Sequence, residues 1–351
     1  MSDQYYRLFT EPVLASDYTA GAHPALLRAL NRTNLLHTPG YGTDYFSEQA
    51  RRRIRRAVGN PRADIYFLVG GTQTNALSLR ALLKPHQGVL AAESGHISVH
   101  EAGAVELGGH KILALPARDG KISGRDVLDY CRRFYEDETY PHMVCPGGIY
   151  ISQPTELGTL YSLAELKALR AAADEFGLFL YVDGARLAYG LACPENDVSL
   201  KDLGALCDAF YIGGTKCGAL FGEALVLKNN KLCPAMLTLI KQQGAMLAKG
   251  RLSGVQFGRL FYRDLYGEIG RKGMEMAALL KEGLKKKGYD FYLNSPTNQI
   301  FITVTDAVWA RLKAQGLGGF WSREKAGFTN VRFVCSWDTS PEDIRRVLEA
   351  L

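Results

Sequence analysis

The sequence predicts an α/β protein: a mostly parallel sheet covered by helices on both faces, followed by a smaller C-terminal α/β unit. Three observations lead there. Short runs such as ADIYFLV and LFLYV are apolar at successive positions, as strands buried on both faces require. Helix-like stretches separate them, the alternation expected of parallel strands with crossover helices. Beyond about residue 250 the pattern changes to two long helical stretches and two more strands. A length of 351 residues suits about two domains at roughly 150 residues each.

Taken in order, ADIYFLV is a strand that stops at Gly70-Gly71, and TNALSLRALL reads as the helix after it. GVLAAE, KILALPA and GGIYISQ are further short strands. Ser162 and Glu165 form a capping box that opens a helix through ELKALRAAADEFG. Gly177 ends that helix, and LFLYV follows as a buried strand. AFYIGG and EALVLKN continue the series. Two helical stretches around 254–287 lead into QIFITVT and VRFVCSW, and Pro341 stands at the first position of a closing helix. The expected division is an N-terminal segment 1–20 that joins the small unit or crosses to a partner subunit, a large domain 21–250 and a small domain 251–351.

Bulk composition excludes several classes. A hydrophobic fraction of 47% and a charged fraction of 22% are ordinary for a globular chain. No apolar run approaches the roughly 20 residues that span a bilayer. The start, MSDQYYRLFTEP, lacks the basic and apolar segments of a signal peptide. Seven cysteines without CxxC pairs point to reduced thiols in a cytoplasmic protein. The run ARRRIRRAVG is strongly basic, but no groove-reading motif accompanies it. It reads as a helix burying Ile54 and Val58, with its arginines in solvent or at a subunit contact.

Ligands of open α/β sheets bind at the carboxyl ends of the strands, and four features fall there. Gly70-Gly71-Thr72-Gln73 joins a strand to a helix N-terminus, which suits a phosphate. Asp183 ends the LFLYV strand and can pair with a cationic ring nitrogen, while Arg186 can hold a carboxylate bidentately. His96 ends another strand and offers a flat ring for stacking. His96 and His100 have metal-ligand spacing, but His96 is expected to precede the helix carrying His100 and Glu101, so no metal is assigned. Lys216, between Thr215 and Cys217 in GGTKCGALFG, is a lysine in small, apolar surroundings that favour its neutral, nucleophilic form. Phosphate cradle, stacking ring, ring-nitrogen partner and activated lysine are together what pyridoxal 5′-phosphate requires.

Seven stretches carry a more specific resemblance: SDYTAG (16–21), YGTDYFSEQARRRI (41–54), GGTQTNAL (70–77), ESGHISVHEAGA (93–104), VDGARL (182–187), GGTKCGA (213–219) and VRFVCSW (331–337). In these the chain resembles the threonine aldolase and β-eliminating lyase group of pyridoxal-phosphate enzymes. The resemblance implies the aspartate-aminotransferase-like fold type I, with a seven-stranded large-domain sheet, and a homodimer or homotetramer with sites between subunits. It implies that Lys216 bonds the cofactor, that Asp183 faces the pyridine nitrogen, that Gly71, Thr72 and Gln73 hold the phosphate, and that His96 stacks on the ring. Ser16, Arg186 and Arg332 would bind the substrate carboxylate. Tyr41, Lys241 and Arg251 would lie near a neighbouring subunit's site.

The implied reaction is cleavage of the Cα–Cβ bond of a β-hydroxy-α-amino acid of the threonine or allo-threonine type, giving glycine and an aldehyde. Lys216 and His96 are the catalytic candidates, with His96, or a water it holds, as the base. The chain departs from the group at one place: SQPTELG stands where a Thr-His-Asn stretch is familiar, with Thr155 or Glu156 nearby. That leaves β-elimination and transamination open as alternatives. A non-catalytic member of the fold is a further alternative.

Overall fold

The structure is a computed structural model and describes residues 12–351. Eleven strands form among them: β1 (Asp64–Leu68), β2 (Gln87–Ala92), β3 (Ile112–Leu115), β4 (Cys145–Ser152), β5 (Phe179–Asp183), β6 (Ala209–Gly213), β7 (Glu223–Leu227), β8 (Phe291–Leu293), β9 (Gln299–Thr305), β10 (Gly319–Ser322) and β11 (Phe328–Val334). The first seven make one sheet in the order β1-β7-β6-β5-β4-β2-β3. The neighbours β3, β2, β4, β5 and β6 are parallel, and β7 runs against both β6 and β1. All the expected strands of this half are present.

Side chains alternate across the sheet, and each face has its own core. Ile149, Ile151, Leu180, Val182, Phe210 and Ile212 pack on one face. Tyr150, Tyr181, Tyr211 and Leu225 pack on the other, together with Leu77 and Leu79 of the helix Gly71–Leu82. The capping box at Ser162 and Glu165 opens the helix Leu163–Phe176, and Gly177 closes it in the left-handed region at φ 63°.

The second sheet is antiparallel, in the order β10-β11-β9-β8. Its strands β8 and β10 and the helix Asp306–Ala314 go beyond the sequence reading. Both strands are short, partly exposed and weakly patterned. The helix Leu265–Lys286 is shared between the two cores: Leu265, Tyr266 and Ile269 pack on the large sheet, and Met276, Ala277, Leu280 and Leu284 on the small one. Val13 and Leu14 join the small core, and Val13 bridges Leu317. Residues 1–11 of the expected N-terminal segment lie outside the described residues.

The arginine run forms the helix Tyr45–Ala57, with Ile54 and Val58 buried as expected. Solvent is not the only destination of its arginines, which is a correction. Arg51 Nε donates to the carbonyl of Ile65 at 3.0 Å, Arg55 Nε to that of Ala63 at 2.8 Å, and Arg53 to that of Gly258. They tie the helix to β1 and to the helix Arg251–Leu260.

Candidate active site

The parallel strands deliver their carboxyl ends to one edge of the large sheet. The loops there enclose a cavity of about 270 Å³. Gly70, Gly71, Thr72, His96, Asp183, Arg186 and Lys216, brought from positions across 147 residues of chain (216 − 70 + 1), line it.

Asp183 is the last residue of β5, on the face shared with Tyr150 and Tyr181. It is buried, and its donors include the Tyr150 hydroxyl to Oδ2 at 2.7 Å, Asn75 Nδ2 to Oδ2 at 2.9 Å and the Ala185 amide to Oδ1 at 3.0 Å. Burial alone would raise its pKa. The His96 imidazole and hydrogen bonds from Tyr211, Asn75 and Tyr150 outweigh this, and the carboxyl stays below its ordinary value. Asp183 is therefore an ionised acceptor at neutral pH.

Lys216 sits in the turn between β6 and β7. No group among the described residues hydrogen-bonds or ion-pairs with its ammonium. Burial and the nearby Arg186 push its pKa down, against the pull of Asp17, Asp183 and Glu223. Glu223 begins β7 and is buried beside it, accepting from the Gly214 amide at 2.8 Å. Burial pushes that carboxyl up to about 7.

The Gly70-Gly71 turn opens the helix Gly71–Leu82, and no side chain caps it. Its first amides therefore point outward without partners, as a bound anion needs. A Cβ on Gly71 would come 3.0 Å from Tyr211 Oη, so glycine there keeps room for the phenol. The Gln73 side-chain oxygen turns back to accept from the Val69 amide at 3.1 Å.

His96 opens a four-residue helix, His96–Val99, rather than preceding one, and His100 and Glu101 lie in the bend after it. The ring is anchored by Nδ1 to Glu101 Oε1 at 2.8 Å. Glu101 is itself held by Asn75 Nδ2 at 2.7 Å, so one amide nitrogen serves both Glu101 and Asp183.

Arg186 Nε and Nη2 clasp the Asp17 carboxylate at 2.7 and 3.0 Å. Arg332, on β11 of the small sheet, has no carboxylate partner among the described residues. Its Nη1 reaches Gln299 at 3.3 Å, and its buried Nε has none. Burial and Arg186 push Arg332 down to about 10 despite Asp17. Ser16 Oγ is likewise buried without a partner among the described residues, and Ser16 lines a separate pocket with Thr19 and Ser336. Tyr41, Lys241 and Arg251 stand apart from this cavity. The Lys241 ammonium packs over the Tyr41 ring at 4.8 Å, and Arg251 donates to the carbonyls of Thr33, Asn34 and Leu36.

Sequence reasoning gave no site role to Asn75, Glu101, Tyr150, Tyr211 or Glu223. A signal for the tyrosines exists: β4, β5 and β6 end in Tyr-Ile-Ser, Tyr-Val-Asp and Tyr-Ile-Gly, which stacks three phenols on the face of Asp183.

Comparison with known proteins identifies the family. A profile of the beta-eliminating lyase family matches residues 14–307. The low specificity L-threonine aldolase of Pseudomonas aeruginosa is 29% identical over 339 residues, 95% of each chain. A solved structure of Leishmania major threonine aldolase superposes with a TM-score of 0.92 at 40% identity, covering 96% of this chain and 97% of that one. A Thermus thermophilus aspartate aminotransferase, 18% identical, shares the fold with a TM-score of 0.72 over 99% of this chain and 92% of its own. The architecture is thus fold type I, and the chain belongs to the beta-eliminating lyase family of enzymes.

Proposed function

We propose that this protein is a pyridoxal-phosphate-dependent lyase that cleaves the Cα–Cβ bond of a β-hydroxy-α-amino acid, threonine or allo-threonine in type, to glycine and an aldehyde. One observation carries this reading: Lys216, which has no hydrogen-bond or ion-pair partner for its ammonium among the described residues, and the carboxylate Asp183, held ionised by His96 and its hydrogen-bond donors, share one cavity with an uncapped helix N-terminus.

The donor set fits the cofactor. Asp183 offers a buried anion to a protonated ring nitrogen, and the amides of Gly71, Thr72 and Gln73 are free for its phosphate. Its carbonyl would condense with amines, and its ring would withdraw electrons from the substrate's Cα.

The chain's own groups do the rest. Lys216 supplies the amine, because burial holds off its proton. His96 covers the site, with Glu101 fixing its ring. Arg332 and Ser16 have the unpartnered donors a substrate carboxylate would use, and Arg186 has its Nη1 left over from Asp17. Fixing that carboxylate sets which bond at Cα breaks. Sites of this kind form between subunits, so a cytoplasmic homodimer or homotetramer is the expected form. Residues 21–250 would then be the cofactor-binding domain and 251–351 the small one.

The test is product analysis on the cofactor-loaded protein with L-threonine, L-allo-threonine and L-serine. Glycine with acetaldehyde from the first two supports the reading. Ammonia with a 2-oxo acid would replace it by β-elimination, and no product from any of them would remove the lyase assignment.

A further inference from the structure

The loop after β4 holds a carboxylate that the proposed function does not use. Glu156 lines the same cavity as Lys216 and Asp183. Its two oxygens differ. Oε1 is fixed by the Ser152 hydroxyl at 2.6 Å and by the His96 amide at 3.1 Å. Oε2 has no hydrogen-bond partner among the described residues. One oxygen thus orients the group, and the other is free to meet a ligand.

The loop is built to keep it there. The Gln153 side chain clamps the backbone of Tyr161 through two hydrogen bonds, at 2.8 and 3.0 Å. The Thr155 amide donates to the Thr159 carbonyl at 2.9 Å, and the Gly158 amide to the Thr155 carbonyl at 2.8 Å. Gly158, at φ 74°, has its carbonyl held by the hydroxyl of Thr297 at 2.8 Å. Catalytic groups held in this way lose little freedom when a substrate arrives.

We infer that Glu156 Oε2 accepts the hydrogen of the substrate's β-hydroxyl, making Glu156 the general base of carbon–carbon cleavage. This rests on the function proposed above. The proton moves from the hydroxyl oxygen to Oε2. The O–H electron pair becomes the second C–O bond of the aldehyde. The Cα–Cβ bond breaks, and its pair stays with Cα until a proton converts it to the new C–H bond of glycine. No oxidant, reductant or further reactant is needed. Burial and the nearby Asp183 raise the pKa of Glu156 against the Ser152 hydrogen bond and His96, which suits a group that must pick up a proton. His96 is already engaged at Nδ1 by Glu101.

The experiment compares the parent holoenzyme with E156Q, E156D and H96N. Gln keeps an oxygen for Ser152 and the His96 amide, but cannot take the proton. For E156Q, kcat for L-threonine cleavage should fall about 10²–10⁴-fold, the range a general base contributes. Its cofactor absorbance and its Kd for L-α-aminobutyrate, which lacks the hydroxyl, should stay within about twofold. E156D should recover part of kcat. E156Q turnover within about threefold of the parent, with loss in H96N instead, would make the histidine the base and overturn the inference. Equal losses in E156Q of α-aminobutyrate binding and of kcat would make Glu156 a structural support and overturn it as well. A parent enzyme that yields no aldehyde from any β-hydroxy amino acid would overturn the proposed function itself, and the inference with it.

Discussion

Arg186 and Asp17, 169 positions apart, form a buried two-point ion pair, with Nε to Oδ2 at 2.7 Å and Nη2 to Oδ1 at 3.0 Å. The pair ties the N-terminal segment to the turn after β5. Burial works against the Asp17 charge, but Arg186, Lys216 and Arg332 outweigh it and hold the pKa below its ordinary value. Asp17→Asn should cost about 3 kcal/mol in urea unfolding at pH 7, because a buried guanidinium loses its partner. The sign follows from the lowered pKa. The contribution is complete above the ordinary carboxylate value and is lost as pH falls through the folded one. The gap between parent and variant should therefore narrow as pH falls below the ordinary carboxylate value. A constant gap from pH 7 to pH 3 would contradict this.

Lys216→Ala should remove both the visible absorbance of the cofactor-loaded protein and its turnover. Among the described residues lining the cavity, the other lysine or arginine is Arg186, which cannot act as a neutral amine. Retention of full aldolase activity in this variant would show that the lysine is misassigned.

Glu223, with its pKa raised from 4.5 to about 7, should make the cofactor-free protein less stable in mild alkali. A carboxyl with a raised folded pKa binds its proton more tightly folded than unfolded. Its contribution is complete below the unfolded pKa and is lost as pH rises through the folded one. The shift corresponds to a loss on the order of 3 kcal/mol between pH 4 and pH 8. Glu223→Gln carries no titrating group, so its melting temperature should fall less over that range. Parallel melting curves for parent and variant from pH 5 to pH 8 would refute the assignment.

Gly158→Ala should damage stability and turnover together. The backbone there is left-handed at φ 74°, and a Cβ would run into the hydroxyl of Ser295. Strain plus overpacking amounts to roughly 3 kcal/mol. Because this loop carries Glu156, kcat should fall even at temperatures where the variant is fully folded. Thermal denaturation alongside kcat below the transition reads both effects, and unchanged kcat would mean that the loop does not position the carboxylate.

Local chemistry makes much of this protein legible in its sequence. Strand runs that are apolar on both faces, the Ser162–Glu165 capping box and the glycine turn at 70–71 depend on neighbours in the chain, so the large sheet and its loop positions could be read off directly. Asp183, His96 and Lys216 stood out because each ends or follows such a strand. The short strands β8 and β10 did not, because they are held mainly by pairing with β9 and β11 rather than by their own pattern.

The amino-acid order by itself determined the α/β class and pointed to a cavity at the strand carboxyl ends lined by Lys216 and Asp183, since these follow from periodicity and from which side chains are costly to bury. Only the tertiary structure decided that Asn75 joins Asp183 to Glu101, that among the described residues Arg186 is matched by Asp17 while Arg332 meets no carboxylate, and that Glu156 lines the cavity with one oxygen held by Ser152 and His96. Those are distances between segments from 26 to 169 positions apart. Hydrogen bonds act over about 3 Å and leave no periodic trace along the chain.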